Sequence, residues 1–178
     1  MTSKFRVMKK VLYLIVGIVL IGSVSCGDDE IMEEVEYVDL EGYFIQEPFF
    51  TEPAITCGDI PYPSGFEDVE GIVSPLGDIS GGRIEFQNCR LADYNNQSVF
   101  SADYTGFFNS TEGDIVNYQG TLYFLPGSDF ESVSKGTIFG GTGRWANAEG
   151  EFDFVEVEPY GVNMVKGKID GRITKPVN

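Results

Sequence analysis

From about residue 67 to residue 174, apolar and polar side chains alternate, and turn-forming residues interrupt the alternation at short intervals. Successive side chains of a strand point to opposite faces, so Ile84 and Phe86 would share one face and Glu85 the other. About seven or eight such runs are present, and after the N-terminal segment no run keeps a helical period. The pattern predicts an all-β domain of antiparallel strands joined by short turns, closed as a barrel or packed as a sandwich.

Turn-forming residues also mark where individual strands should end. Pro75 and Gly77 would separate two strands, and residues 109–114 would form a hairpin turn. We therefore assign the barrel domain to residues 67–178.

Residues 41–66 differ from the rest because four prolines stand among aromatic side chains. Proline has no N–H to donate to a ladder, which disfavours a place inside a sheet. We predict an irregular lead-in over 41–66 that packs aromatic side chains such as Phe44 and Phe50 onto the domain.

The first 25 residues have the pattern of a secretory signal. Basic residues at the start are followed by an apolar run over 11–25, which is shorter than the roughly 20 residues that span a bilayer. The small residues before Cys26 resemble a lipoprotein signal, although Ser23 stands where an aliphatic residue is usual. We predict that residues 1–25 are a removed lipoprotein signal and that Cys26 is lipidated. An ordinary cleaved signal and an uncleaved N-terminal anchor remain alternatives.

Residues 26–40 begin with an acidic run, and dense like charge resists folding. We interpret them as an acidic tether. An acidic run directly after a lipidated cysteine also resembles the surface-export signal of lipoproteins in some Gram-negative bacteria. A multiply acylated cysteine anchors a protein stably. The N-terminus therefore predicts an extracytoplasmic protein, anchored to the outer membrane by lipid, either on the periplasmic side or at the cell surface.

Composition excludes several classes of function. The formal net charge is −16, and phosphate contacts need a basic surface, so a nucleic-acid partner is excluded. The chain has no histidine, which removes Ser-His-Asp and Cys-His catalysis and the common histidine-based zinc sites. No spaced acidic loop of the calcium-binding type is present either. We expect no metal.

Two cysteines remain once Cys26 is assigned to lipid. An exported protein lies in an oxidising compartment, so Cys57 and Cys89 are predicted to form a disulfide. Closing a loop of about 32 residues would stabilise the fold by roughly 3–4 kcal/mol. The alternative is a pair of free buried thiols.

The segment from Gly141 to Ala146 fits the spacing G-x-G-x-x-A, which occurs in dinucleotide-binding loops. Such a loop needs a helix after it, because the pyrophosphate rests on the helix N-terminus. Here the alternating residues 151–154 follow, and no βαβ unit surrounds the segment. We therefore expect a tight glycine turn and no cofactor.

The same region resembles the G-G-T-G-[RK]-F-x-x-A-x-G signature of the allene oxide cyclase and dirigent barrel families. Its matching residues are Gly140, Gly141, Thr142, Gly143, Arg144, Trp145, Ala148 and Gly150, with Trp145 in place of the usual phenylalanine. The resemblance covers roughly residues 67–174. It implies an antiparallel barrel of eight strands with a central cavity, in a protein that is often a dimer or trimer.

A barrel of eight strands has room inside for its own side chains or for one small ligand. Candidate residues lining a cavity are Phe86, Phe100, Tyr104, Tyr118, Leu122, Phe124 and Phe152, together with Ile84 and Phe154. The alternative is that these side chains simply fill the core. No catalytic residue can be assigned: the carboxylates Asp103, Asp114, Asp153 and Glu156 are candidates, but a carboxylate in such a position more often simply belongs to a strand surface.

Val155, Val157 and Met164 add apolar side chains to what the alternation predicts as the outer face. A contiguous patch there would indicate a homo-oligomer. A β-bulge near Phe154 would reverse the facing and explain the pattern equally well.

Three functions agree with the sequence. The first is a cell-envelope lipoprotein whose barrel binds a small apolar ligand or serves as a structural module, without enzymatic activity. The second, implied by the resemblance, is a cyclase or dirigent-like protein that steers an apolar reactive intermediate. The third is a surface interaction or adhesion subunit with a protein or glycan partner.

Overall fold

The computed structural model of the chain describes residues 35–52, 55–57, 60–125 and 132–176. These belong to one compact unit, Val35–Asn178. The predicted signal peptide, the lipidation site at Cys26 and most of the predicted tether lie outside the described residues. No helix in the described ranges is long and apolar enough to cross a membrane.

The described residues are almost entirely β-structure. The elements are β1 (Tyr37–Phe49), β2 (Ile55–Cys57), β3 (Ile60–Tyr62), β4 (Gly65–Ser74), β5 (Gly77–Tyr94), β6 (Gln97–Ser110), β7 (Ile115–Phe124), β8 (Ser132–Gly141), a 3-10 turn (Gly143–Trp145), β9 (Glu149–Tyr160) and β10 (Met164–Thr174). Pro75 lies between β4 and β5, as predicted, and β5 begins at Gly77. The predicted hairpin turn at 109–114 overlaps the observed turn at 111–114, because β6 continues to Ser110.

The strands form a closed antiparallel barrel in the order β1-β10-β9-β8-β7-β6-β5-β4. Each neighbour along the sequence from β4 to β10 is also a neighbour in the barrel, and β1 closes it by pairing with both β10 and β4. The β2–β3 hairpin is a separate two-stranded sheet, and β2 packs against β5. The prediction of an eight-stranded antiparallel barrel is confirmed.

The predicted domain boundaries were wrong at β1. We expected a tether to residue 40 and an irregular lead-in from 41, but Tyr37–Phe49 is a full strand of the barrel. It pairs with β10 from Tyr37 to Gln46 and with β4 from Glu41 to Phe49. Pro48 lies beyond the end of the β10 pairing, where one side of β1 is open, so its missing N–H is tolerated. The lead-in is reduced to the segment between β1 and β4.

Aromatic side chains fill the centre of the barrel. The ring centroid of Phe152 lies 5.4 Å from that of Tyr118 and 5.0 Å from that of Phe154. The ring centroids of Phe44 and Phe154 are 4.9 Å apart. Glycines on neighbouring strands leave the space for these rings: a Cβ on Gly136 would lie 2.4 Å from the Phe152 ring. The interpretation that these aromatic side chains fill the core therefore holds for the middle of the barrel.

A bulge between β9 and β10 changes which side chains of β9 point inward. The register shifts between Lys166 and Lys168, which face Glu158 and Val155. Phe154 and Val157, three residues apart, consequently line the same internal pocket. The bulge interpretation is therefore correct for Val157, which does not contribute to an outer patch.

Candidate ligand site inside the barrel

The glycine-rich segment 140–148, which begins with the last two residues of β8 and which we call the plug, lies at one end of the barrel. Gly140 and Gly143 have φ values of +121° and +56°, in the left-handed region that favours glycine. The 3-10 turn that follows places Trp145 in the core with 1% of its surface exposed. The next element is the strand β9, which begins at Glu149. The segment is therefore not followed by the helix that a dinucleotide site requires.

The plug is fixed to the β6–β7 turn by charge and by hydrogen bonds. The Arg144 guanidinium donates to Asp114 at 3.0 Å and also to Glu112, and the bond to Asp114 raises the pKa of Arg144. Thr142 Oγ1 accepts a hydrogen bond from the Ile115 N–H at 2.9 Å. The signature residues thus have a structural role at this end of the barrel.

Gly143 and Gly150 are required by close contacts. A Cβ on Gly143 would lie 1.8 Å from Asp114 Oδ1. A Cβ on Gly150, which faces Ile138 of β8 across the ladder, would lie 2.2 Å from the Arg172 carbonyl oxygen.

The opposite end of the barrel contains a pocket of about 70 Å³. Its residues come from the last part of β1, β7 and β9, from the first part of β4, β8 and β10, and from the middle of β5 and β6. They are Phe44, Gln46, Phe66, Ile84, Phe86, Tyr104, Leu122, Phe124, Ser132, Phe154, Val157 and Val165. Among these lining residues, none carries a charge at neutral pH.

Gln46 is the polar group that distinguishes this pocket. It is 5% exposed, and its side-chain oxygen Oε1 has no hydrogen-bond partner. A buried acceptor without a partner costs about 1–3 kcal/mol. The pocket is therefore complementary to a small molecule that is mostly apolar and carries one hydrogen-bond donor.

Tyr104 also lines the pocket, and its hydroxyl forms a 2.6 Å hydrogen bond with Ser134 Oγ. Burial raises the pKa of Tyr104 well above its ordinary value. Deeper in the core, the Tyr118 hydroxyl has no partner, and burial raises the pKa of Tyr118 strongly. Both phenols stay neutral near pH 7, so these two side chains can orient a ligand but neither is poised to act as a base at that pH.

Three of the four candidate catalytic carboxylates do not line the pocket. Asp103 pairs with Arg90, Asp114 with Arg144, and Asp153 with Lys135, all as partly exposed ion pairs. Glu156 lies in β9, but its side chain is outside the description. Within the described residues, no group of three or more carboxylates or cysteines is arranged to hold a metal ion.

The predicted lining residues fall into three groups. Phe86, Tyr104, Leu122 and Phe124 line the pocket, as do Ile84 and Phe154. Tyr118 and Phe152 pack in the filled centre. Phe100 is half-buried opposite Leu91 and Phe124, and is not among the lining side chains.

Sequence reasoning missed the contribution of β1 to the pocket. Phe44 and Gln46 alternate along this strand as a buried pair, which is the signal that could have identified them. The neighbouring prolines concealed it.

Cys57 and Cys89 lie on β2 and β5, which pack against each other. This arrangement is compatible with the predicted disulfide, which stays a prediction because the Cys57 side chain is outside the description.

No protein-family model matches the chain. No curated protein matches it. Among solved structures, it is similar to the pterocarpan synthase dirigent protein GePTS1, with a TM-score of 0.42 and 16% identity over 80% of this chain and 88% of that one. This similarity concerns the barrel fold and carries no activity to this chain.

Proposed function

We propose that this chain is a lipid-anchored protein of the cell envelope whose barrel binds a small, mostly apolar ligand. The observation that supports the proposal is the pocket at the unplugged end, with its unpartnered acceptor on Gln46. Buried polar groups are normally hydrogen-bonded, so a partner supplied by a ligand explains this one.

The size of the pocket restricts the ligand. Drug-sized ligands occupy pockets of roughly 300–1,000 Å³, whereas this one has about 70 Å³. It therefore suits a molecule of a few heavy atoms, or the end group of a larger molecule that extends out of the barrel. The cyclase or dirigent-like alternative is less well supported, because its substrate would need more space and no carboxylate is found among the described side chains that line the pocket.

Two isomers of the same formula test the ligand chemistry. 1-Butanol carries a hydroxyl donor and diethyl ether has none, while both present a similar apolar surface. We expect 1-butanol to bind about three- to tenfold more tightly, which corresponds to one net hydrogen bond. Binding would be followed by NMR through the methyl groups of Ile84, Leu122 and Val165, which line the pocket.

Gln46→Leu should abolish the preference for 1-butanol while keeping the pocket. Gln119→Leu is the matched control, because Gln119 is exposed on the outer face of β7. Xenon, which enters apolar cavities, tests the pocket itself. Failure of xenon and of both isomers to shift the lining methyl groups would refute the ligand site.

The anchor has its own test. We expect the full chain to incorporate labelled palmitate in a Gram-negative host and the Cys26→Ala variant to lose the label. Labelling of the variant would refute lipidation at Cys26.

A further inference from the structure

A second concave surface, which we call the outer groove, lies on the outside of the barrel at the plugged end. It has a volume of about 560 Å³ and is formed by the start of β1, the ends of β8 and β10, the start of β9 and the loop through Asn147. The outer groove forms next to Gly140, because the pairing between β8 and β9 ends at Phe139 and Glu149 and the chain then turns into the plug. The outer groove is separate from the internal pocket, which is at the other end.

Strand register places the side chains of the outer groove in two parallel rows. In one row, Phe139 of β8 faces Glu149 of β9, and Tyr37 of β1 faces Thr174 of β10. In the adjacent row, Glu151 of β9 faces Arg172 of β10. Neighbouring strands are about 4.8 Å apart, so the row from β8 to β1 spans about 14 Å.

Two aromatic rings stand at the two ends of the first row. Phe139 is 52% exposed and Tyr37 is 43% exposed. The Arg172 guanidinium lies 5.1 Å from the Tyr37 ring centroid and forms a 2.8 Å ion pair with Glu151. Tyr37, Arg172 and Glu151 are therefore held in one arrangement before any ligand arrives, which lowers the entropic cost of binding.

The polar side chains between the two rings carry planar groups, each of which can form hydrogen bonds with two neighbouring hydroxyl groups. Glu149 and Glu151 supply carboxylates, Asn147 an amide and Arg172 a guanidinium. A sugar ring matches this combination, because its C–H face stacks on an aromatic ring while its hydroxyls donate and accept around the edge. A span of about 14 Å is long enough for a short oligosaccharide.

The negative charge of the groove and of the whole chain limits which glycans can bind. The groove has two carboxylates against one guanidinium that is already paired, and the whole chain carries a net charge of −16. Such a surface repels sulfated and uronic-acid glycans. We propose that the outer groove binds a neutral glycan, with Phe139 and Tyr37 as stacking platforms and Glu149 and Asn147 as hydroxyl partners.

A peptide fits this surface less well than a glycan. Peptides that bind to sheets usually add a strand to a free edge, and the barrel is closed through all eight strands. A basic peptide would match the overall charge but would meet Arg172 in the middle of the groove.

The test uses the full chain, solubilised in mild detergent, with cellohexaose, maltohexaose and mannohexaose as neutral probes. We expect at least one of these hexasaccharides to bind. The Phe139→Ala substitution should raise the Kd for that hexasaccharide at least tenfold. Tyr43→Ala is the matched control, because Tyr43 is an aromatic residue of similar exposure on the outer face of β1, outside the groove. The Kd of the Tyr43→Ala variant for the same hexasaccharide should stay within twofold of the Kd of the unmodified protein.

Three results would overturn the proposal. These are no binding of any of the three probes at millimolar concentration, an equal loss in the Tyr43→Ala variant, and stronger binding of a sulfated hexasaccharide or of hexalysine than of every neutral probe. Because Phe139 is exposed, its replacement should leave the fold intact, and an unchanged Trp145 fluorescence spectrum would verify this.

Discussion

Two buried tyrosines in the barrel differ in whether the hydroxyl has a partner. Tyr104 bonds to Ser134, whereas the Tyr118 hydroxyl, in a side chain with no exposed surface, has none. An unpaired buried polar group costs free energy, while a satisfied one contributes modestly. Opposite effects on stability should therefore follow from removing the two hydroxyls.

We expect Tyr118→Phe to raise the free energy of unfolding by about 1 kcal/mol, because the ring remains and the unpaired hydroxyl is removed. Tyr104→Phe should lower it by about 1 kcal/mol, because Ser134 loses its partner. Urea unfolding measures both. Destabilisation by Tyr118→Phe would show that its hydroxyl bonds to a buried water.

Asp103 provides a prediction about pH. Arg90 donates two hydrogen bonds to its carboxylate, at 2.6 and 2.9 Å, and this lowers the pKa of Asp103 below its ordinary value. A carboxyl with a lowered folded-state pKa stabilises the fold above its unfolded pKa of about 3.9, and this stabilisation is lost as pH falls through the folded value.

Comparison with Asp103→Asn measures this contribution. At pH 7 the variant should be less stable by no more than about 1 kcal/mol, because the pair is partly exposed and screened. The difference should be constant between pH 5 and 7 and should shrink towards zero in acid below about pH 4. A difference that grew in acid would contradict the assigned sign.

At the scale of elements, the plug depends on the backbone of Gly143. This residue has a positive φ and lies against the Asp114 carboxylate that binds Arg144. Gly113 also has a positive φ, +87°, but a Cβ there would meet nothing within 4 Å. The two glycines thus separate the cost of backbone strain from the cost of a clash.

Gly113→Ala should destabilise the barrel by about 1 kcal/mol through strain alone. Gly143→Ala should cost more, and it should also expose the plug, because the Asp114–Arg144 pair must move to admit the methyl group. Trp145, the chain's single tryptophan, reports this as a red shift of its fluorescence. Equal costs and an unshifted spectrum would mean that the Asp114 contact has no influence on the plug.

β1 shows why element prediction failed in one place. Its apolar residues Leu40 and Phe44 are buried, but Leu40 was assigned to the acidic tether and prolines follow Phe44. Local composition disfavoured a strand there. Pairing with β10 and β4, at sequence separations of 119–137 and 16–33 residues, overrides that preference and supplies the eighth strand.

At the scale of the whole molecule, the predicted Cys57–Cys89 disulfide would fasten the β2–β3 hairpin to the barrel wall. We expect the protein exported to an oxidising compartment to have a mass lower by two hydrogens than the reduced protein. Reduction, or the Cys57→Ser and Cys89→Ser double variant, should lower stability by about 3–4 kcal/mol. An unchanged mass after reduction would mean that the two thiols are free.

The sequence by itself determined the fold class, most strand positions, the turns and the rejection of a cofactor loop. These follow from local physics: the two-residue period of strands and the backbone freedom of glycine. It also identified many residues of the interior, because alternation assigns a side chain to a face.

Tertiary structure alone decided which of those interior residues surround empty space. The pocket exists because β1 joins the barrel, the bulge in β9 turns Val157 inward, and the rings of Phe152 and Tyr118 occupy the centre. The outer groove likewise depends on register between β8, β9, β10 and β1. Both are set by contacts between residues far apart in the chain, and such contacts leave no periodic signal in a single sequence.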